Sequence, residues 1–286
     1  MKDLLVYVHS PARAQLYMTY AAYIARDLGL SVRYLFVHTP SNFPLGMPGS
    51  LSAAAVISQK DIDREIDRIK HHFELQIEKL NASDPDLPLL EYKIEIGFPA
   101  EILRAYCRSD MVDTIMLSSS KEHITFGDDA DNIEIIRKVT CPVWIVPEGI
   151  TYKPFSEILY ATDYHKEDIP NLKMLAKFAS RFPASITAVH ISSSTGFEEK
   201  VKGEGFEAML KKETGYNMIS LKVLQETSGE PLVDELHDFA LMMDADLIVL
   251  LRENRGFMDR LMHGSRSERI ARKTRLPVLI YNEERK

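Results

Sequence analysis

A series of short landmarks occurs twice in this chain, in one order, and that repetition limits the fold more than any other feature of the sequence. Residues 4–8 (LLVYV) and 158–162 (ILYAT) open the two series as strand-like runs. The FVHT containing His38 matches the AVHI containing His190. Gly97-Phe98-Pro99 matches Gly229-Glu230-Pro231, each where a strand gives way to a helix. Residues 112–117 (VDTIML) match 245–250 (ADLIVL), and 141–146 (CPVWIV) match 276–281 (LPVLIY). An internal duplication follows, with a boundary at residues 148–154 (EGITYKP), where Pro and Gly separate two apolar runs. The halves are domains 1–148 and 155–286, each of a size that buries its own core.

Between the landmarks, strand-like and helix-like stretches alternate. Leu16, Tyr20, Ile24 and Leu28 recur at helical spacing, with Gly29 as a stop. Ile62, Ile66, Ile69, Phe73, Ile77 and Leu80 form one stripe of a long helix. Leu172, Leu175, Ala176, Ala179 and Phe182 form another in the second half. The strands at 32–37, 114–117 and 143–146 are nearly continuous apolar runs, as in parallel sheets covered on both faces, and 92–96 reads as a further strand. Each half therefore reads as five strands and four helices, an α/β domain with a parallel sheet and helices on both faces. Ligands of such sheets bind beyond the carboxyl ends of the strands, which directs attention to the loop after Leu251.

Composition excludes several classes of function. A net charge of −7 argues against nucleic acid or an anionic membrane as the main partner. No apolar run approaches the roughly 20 residues that span a bilayer. The opening MKDLLVYVHS runs into a helix without a small-residue cleavage site, so the expected location is cytoplasmic. The two cysteines, Cys107 and Cys141, form no C-x-x-C pair, hence no zinc or redox motif, and buried unreactive thiols are expected.

At these landmarks the chain resembles the universal stress protein family in its tandem form, over residues 1–147 and 155–283. The resemblance implies Rossmann-like domains, of the adenine nucleotide alpha hydrolase-like kind, with strand order 3-2-1-4-5. It also implies two five-stranded sheets related by an approximate two-fold axis and associated through their fifth strands, 143–146 and 278–281. A homodimer of the whole chain is a further expectation. The family's nucleotide loop, Gly-x2-Gly-x9-Gly-[Ser/Thr], lets backbone N–H groups reach phosphates at a helix N-terminus.

On that pattern Gly264, Ser265 and Ser267 fit the closing segment of the second domain, and Asp163 fits the aspartate after strand one. ATP or AMP is the implied ligand there. Leu251 and Asn254 stand where the earlier glycines belong, with Gly256 two residues late. In the first domain Ser118 and Lys121 replace those glycines, Asp129 and Ala130 replace Gly-Ser, and His9 replaces the aspartate. Asp128, Asp129 and Asp131 repel a triphosphate, so no nucleotide is expected in that half.

Each of these features has a plainer reading. Ser265 can be a helix cap, and Asp163 can cap the helix near Glu167. The basic run Arg255, Arg260, Arg266, Arg269, Arg272, Lys273 and Arg275 fits a solvated helix face. His71 and His72 lack metal-pair spacing, and no metal site is expected. His38 and His190 suggest a structural hydrogen bond common to both copies. Ser118–Ser120 have no triad setting. Phe43, Leu45 and Met47 lie in a loop long enough for a lid or for packing on the sibling domain. The leading expectation is a stress-response binding or regulatory protein, not an enzyme. A nucleotide binder or slow ATPase and a purely structural dimeric scaffold stand beside it.

Overall fold

Strand and helix alternate through both halves of the chain. The computed structural model describes residues 3–39, 59–109, 111–119, 128–164, 168–193, 196–226, 232–252 and 276–282. The first half contains β1 (Asp3–Tyr7), α1 (Gln15–Leu28), β2 (Ser31–His38), α2 (Gln59–Ser83), β3 (Leu90–Ile96), α3 (Pro99–Cys107), β4 (Val112–Ser119), α4 (Asp128–Lys138) and β5 (Val143–Pro147). The second contains β6 (Glu157–Ala161), α5 (Asp168–Ala179), β7 (Ser185–Ser192), α6 (Phe197–Thr214), β8 (Ile219–Gln225), α7 (Leu232–Met242), β9 (Leu247–Arg252) and β10 (Val278–Asn282). The helix expected between β9 and β10 lies outside the described residues.

Local chemistry accounts for these boundaries. Gly29 closes α1 in the left-handed conformation, at φ 68°, where a side chain would be strained. Pro99 opens α3, where its missing N–H costs nothing. Every residue of β1 and of β5 is buried, as continuous apolar runs require. β3 and β8, the two outermost strands, instead share one alternating burial pattern and carry the exposed Lys93 and Lys222, charges that discourage further strands from adding.

All the strands form one ten-stranded sheet, in the order β3-β2-β1-β4-β5-β10-β9-β6-β7-β8. Each half thus runs 3-2-1-4-5, with parallel pairing inside it. The expectation of two separate five-stranded sheets is corrected. β5 and β10 pair antiparallel, with Val278 opposite Ile145, Leu279 opposite Trp144 and Ile280 opposite Val143. The physical reason is that each fifth strand would otherwise leave a row of unpaired backbone groups on an apolar edge.

Two cores lie on the two faces of this sheet, and both cross the seam. One packs α1, α2, α5 and α6 against residues such as Val6, Trp144, Tyr160, Val249 and Leu279. The other packs α3, α4 and α7 against Leu5, Val143, Ile145, Ile248 and Ile280. Because α1 and α5 share a face, the axis relating the halves runs through the sheet, beside the paired Trp144 and Leu279. Leu16, which its spacing assigns to the buried face of α1, is 50% exposed; Tyr17, Met18 and Ala21 are buried with Tyr20 and Ile24 instead.

The segment joining the halves is held down at several points. Asp246, at the entry to β9, accepts from the backbone N–H groups of Ser156 (2.6 Å) and Glu157 (3.0 Å) and from Ser156 Oγ (2.7 Å), and it pairs with Lys153. The Tyr152 ring stacks on Tyr23 and meets Tyr20 and Phe155 edge-on, and its hydroxyl donates to Asp27 at 2.5 Å. Tyr152→Phe is expected to lower stability by about 1–2 kcal/mol, the loss of one hydrogen bond to a charged acceptor, as urea unfolding would measure.

Cys107 and Cys141 are bridged, with Cα atoms 5.7 Å apart, joining the end of α3 to the entry of β5. The expectation of free thiols is thereby corrected. Spacing along the chain gave no sign of it, since the packing of α3 beside β4 and β5 brings the two together. Among the described residues no helix is long and apolar enough to cross a membrane, and no group of His, Cys, Asp and Glu is arranged to hold a metal.

Candidate functional site

The carboxyl ends of β6 and β7, two central strands of the second half, open onto the place where an α/β sheet binds its ligands. Asp163 and Tyr164 follow β6, His190 sits near the end of β7, and Glu199 lies in the first turn of α6. His190 Nδ1 is 2.8 Å from the carbonyl oxygen of Thr162. A carbonyl only accepts, so Nδ1 carries the proton. Asp163 Oδ1 lies 3.7 Å from the same nitrogen, and Glu199 Oε1 lies 3.6 Å from Nε2 on the other side of the ring. The imidazole is therefore set between two carboxylates.

Tyr164 covers this cluster. Its φ of 61° is unusual for a residue with a side chain, and its N–H donates to Thr162 Oγ1 at 3.0 Å. That turn lays the phenol ring over His190, with centroids 4.1 Å apart, and against Phe206 at 4.9 Å. A Cβ added to Gly203 of α6 would stand 3.5 Å from the Tyr164 hydroxyl and 3.3 Å from Leu221, so the helix surface beneath the ring is already close. Burial, and then the Glu199 carboxylate, push the Tyr164 phenol well above its ordinary range. The Tyr164 hydroxyl and Glu199 Oε1 are both buried and face one another beside the His190 ring.

Below them, Asp168 is buried at the start of α5 and accepts from Tyr160 (2.6 Å) and Thr162 Oγ1 (2.7 Å). A carboxylate there meets the positive end of the helix dipole. Asp168 is the acidic residue built into the head of α5, a role the sequence reading offered to Asp163.

Of the residues singled out by sequence, Asp163 stands in the crevice, half-buried beside His190. Gly264, Ser265 and Ser267 lie outside the described residues, as do Asn254, Gly256 and the basic run. So do Phe43, Leu45 and Met47 of the long loop, and Gly229 to Pro231. In the first half Ser118 and Ser119 are buried in β4, and the Ser118 carbonyl accepts from Asn132 Nδ2 at 2.8 Å. Tyr164, Glu199 and Asp168 were not found by sequence. Glu199 belongs to an acidic first turn, and nothing in the order of residues marks Tyr164.

The register of the halves corrects one landmark. β1 opens at Asp3 and β6 at Glu157; β2 opens at Ser31 and β7 at Ser185. Val8 N–H donates to Leu35 O at 2.8 Å just as Thr162 N–H donates to Val189 O at 2.9 Å. At that constant offset, Asp163 corresponds to His9, but His190 corresponds to Phe36 and His38 to Ser192. The two histidines are not equivalent, and His38 instead faces Glu65 at 3.8 Å. Side chains alternate along a strand, so a slip of two residues keeps the same face and leaves no trace in the pattern.

Comparison with known proteins places this geometry in context. Residues 154–282 match the model of the Universal stress protein family. A universal stress protein of Methanocaldococcus jannaschii is 24% identical over 144 residues, covering 46% of this chain and 85% of that relative. Among solved structures, a universal stress protein from Archaeoglobus fulgidus superimposes with a TM-score of 0.72 at 16% identity, over 98% of this chain and 96% of the other. The cytoplasmic domain of a prokaryotic cation chloride cotransporter does so with a TM-score of 0.53 at 15% identity, over 98% and 94%. At such identities these structures speak to the fold. Over residues 154–282, just under half of its length, the chain is thus similar to the universal stress protein family.

Proposed function

We propose that this chain is a tandem universal stress protein, domains 1–148 and 155–286, that acts in the cytoplasm by binding and regulation and has no turnover of its own. The observation that carries this reading is the aromatic cover of the second-half crevice. Tyr164 lies on His190 where a nucleoside would have to enter, and Asp163 is drawn toward the imidazole beneath it. A nucleotide must displace that ring, and in the first half His9 takes the place of the aspartate. The mechanism is then the presentation of surfaces by one rigid sheet, in a chain that pairs as a homodimer.

A second reading keeps AMP or ATP as ligand of the second domain, held by Asp163, Gly264, Ser265 and Ser267. It is favoured by the half-buried Asp163 carboxylate still standing at the mouth of the crevice.

Calorimetric titration of ATP and of AMP into the purified protein separates the two. The expected result is no heat of binding for either, with gain of AMP binding in Tyr164→Ala, where the ring is removed. Micromolar binding to the unaltered protein, abolished by Gly264→Val with the circular dichroism unchanged, replaces the first reading by the second.

A further inference from the structure

The near-symmetry of the molecule exposes a difference between its halves. Leu30 N–H donates to Ala25 O at 2.9 Å where Ala184 N–H donates to Ala179 O at 3.1 Å. The ends of α1 and α5 therefore correspond residue for residue, and Tyr20, Tyr23 and Asp27 of the first half answer to Met174, Lys177 and Arg181 of the second. Ile115 N–H donates to Pro142 O and Ile248 N–H to Pro277 O, both at 3.0 Å, so Asp246 answers to Asp113.

Tyr152 fills the slot made by Tyr20, Tyr23 and Asp27. The corresponding slot, on the other side of the axis, is a cavity of about 280 Å³ whose lining includes Trp144, Met174, Lys177, Phe178, Arg181 and Asp113. The counterparts of Tyr20, Tyr23 and Asp27 are all present in that wall.

We infer that this cavity is a binding site for a small aromatic carboxylate. A volume near the lower end of ligand pockets suits one ring with one polar group. Trp144 and Phe178 offer aromatic faces, and Met174 leaves free the space that the Tyr20 ring occupies opposite, with a sulfur able to touch a ring edge. The polar end is reversed relative to its twin. Where the Asp27 carboxylate accepts from a phenol, this slot has the cations Lys177 and Arg181, so the matching group on the ligand is an acceptor carrying negative charge.

Lys177 has no carboxylate partner among the described residues. Arg181 commits Nη1 to the carbonyl oxygens of Asp27 and Leu28 at the end of α1, which holds the guanidinium in place. Asp113, the one carboxylate of the lining, disfavours a second negative charge beside β4 and so directs the ligand's toward α5.

Trp144 is the only tryptophan of the chain and is 2% exposed, so its fluorescence reports on this wall. Titration with benzoate is expected to change that fluorescence saturably. Lys177→Ala, at an exposed position, is expected to weaken the apparent affinity about tenfold, as loss of a charge-assisted contact does. Met174→Tyr, which restores the ring found in the twin slot, is expected to abolish the response. Circular dichroism of each variant establishes that it is folded. The inference is overturned by the absence of any saturable response to benzoate in both fluorescence and saturation-transfer NMR. It is equally overturned by binding that Lys177→Ala and Met174→Tyr leave unchanged, and equal binding of benzyl alcohol removes the assignment of a carboxylate.

Discussion

Ile280→Asp is expected to destroy the cooperative fold of the chain, with a loss of about 4 kcal/mol or more. Ile280 is 3% exposed and lies on β10 between Val143 of β5 and Leu250 of β9. It belongs to the core that carries α3, α4 and α7, and that core draws residues from both halves. Among the described residues a carboxylate at this point would meet only apolar side chains, and the flanking strands cannot part without exposing unpaired edges.

The measurement is urea unfolding followed by the fluorescence of Trp144, which lies across the seam opposite Leu279. The expected result is a midpoint far below that of the unaltered protein, with association of the variant visible by size-exclusion chromatography. A near-normal midpoint would mean that each half is stable alone and that the seam contributes little.

Asp246→Ala is expected to lower stability by about 3–5 kcal/mol, because it removes the acceptor of three hydrogen bonds and leaves Lys153 without its partner. Asp246→Asn isolates the charge. Burial by itself would raise the Asp246 pKa. Lys153, the Ser156 and Glu157 N–H groups and the Ser156 hydroxyl together outweigh it and hold the carboxyl below its ordinary range.

A depressed folded-state pKa means that the ionised form is favoured by folding. Its stabilisation is present above the unfolded value, near pH 4, and is lost as pH falls through the lower folded value. Urea midpoints at pH 7, 4 and 3 are therefore expected to fall more steeply for the unaltered protein than for Asp246→Asn, which cannot titrate. Identical slopes for the two would show that the charge of Asp246 contributes nothing.

The alternation of strands and helices was legible because it depends on near neighbours in the chain. The buried runs of β1 and β5 read as continuous apolar stretches, and the stripe of Ile69, Phe73 and Leu80 has the period of a helix and is buried as such. Of the candidate site, Asp163 was legible because a motif places it after strand one. Its surroundings were not. The cover over it depends on a positive φ at Tyr164 and on α6 crossing nearby, and neither leaves a mark on local periodicity.

The sequence by itself determined most of the inward-facing stripes, Leu16 apart, the alternation of strands and helices, and that one pattern occurs twice, since these depend on hydrophobic period, caps and turns over a few residues. Only the tertiary structure decided that β5 and β10, whose association the resemblance implied, would hydrogen-bond as neighbours in one continuous sheet, that Cys107 would meet Cys141, that His190 answers to Phe36, and that one of two equivalent slots is filled by Tyr152 while its twin forms a cavity. Those outcomes depend on contacts between residues far apart in the chain, and such contacts are selected by shape and by the satisfaction of edges and charges, not by the order in which residues occur.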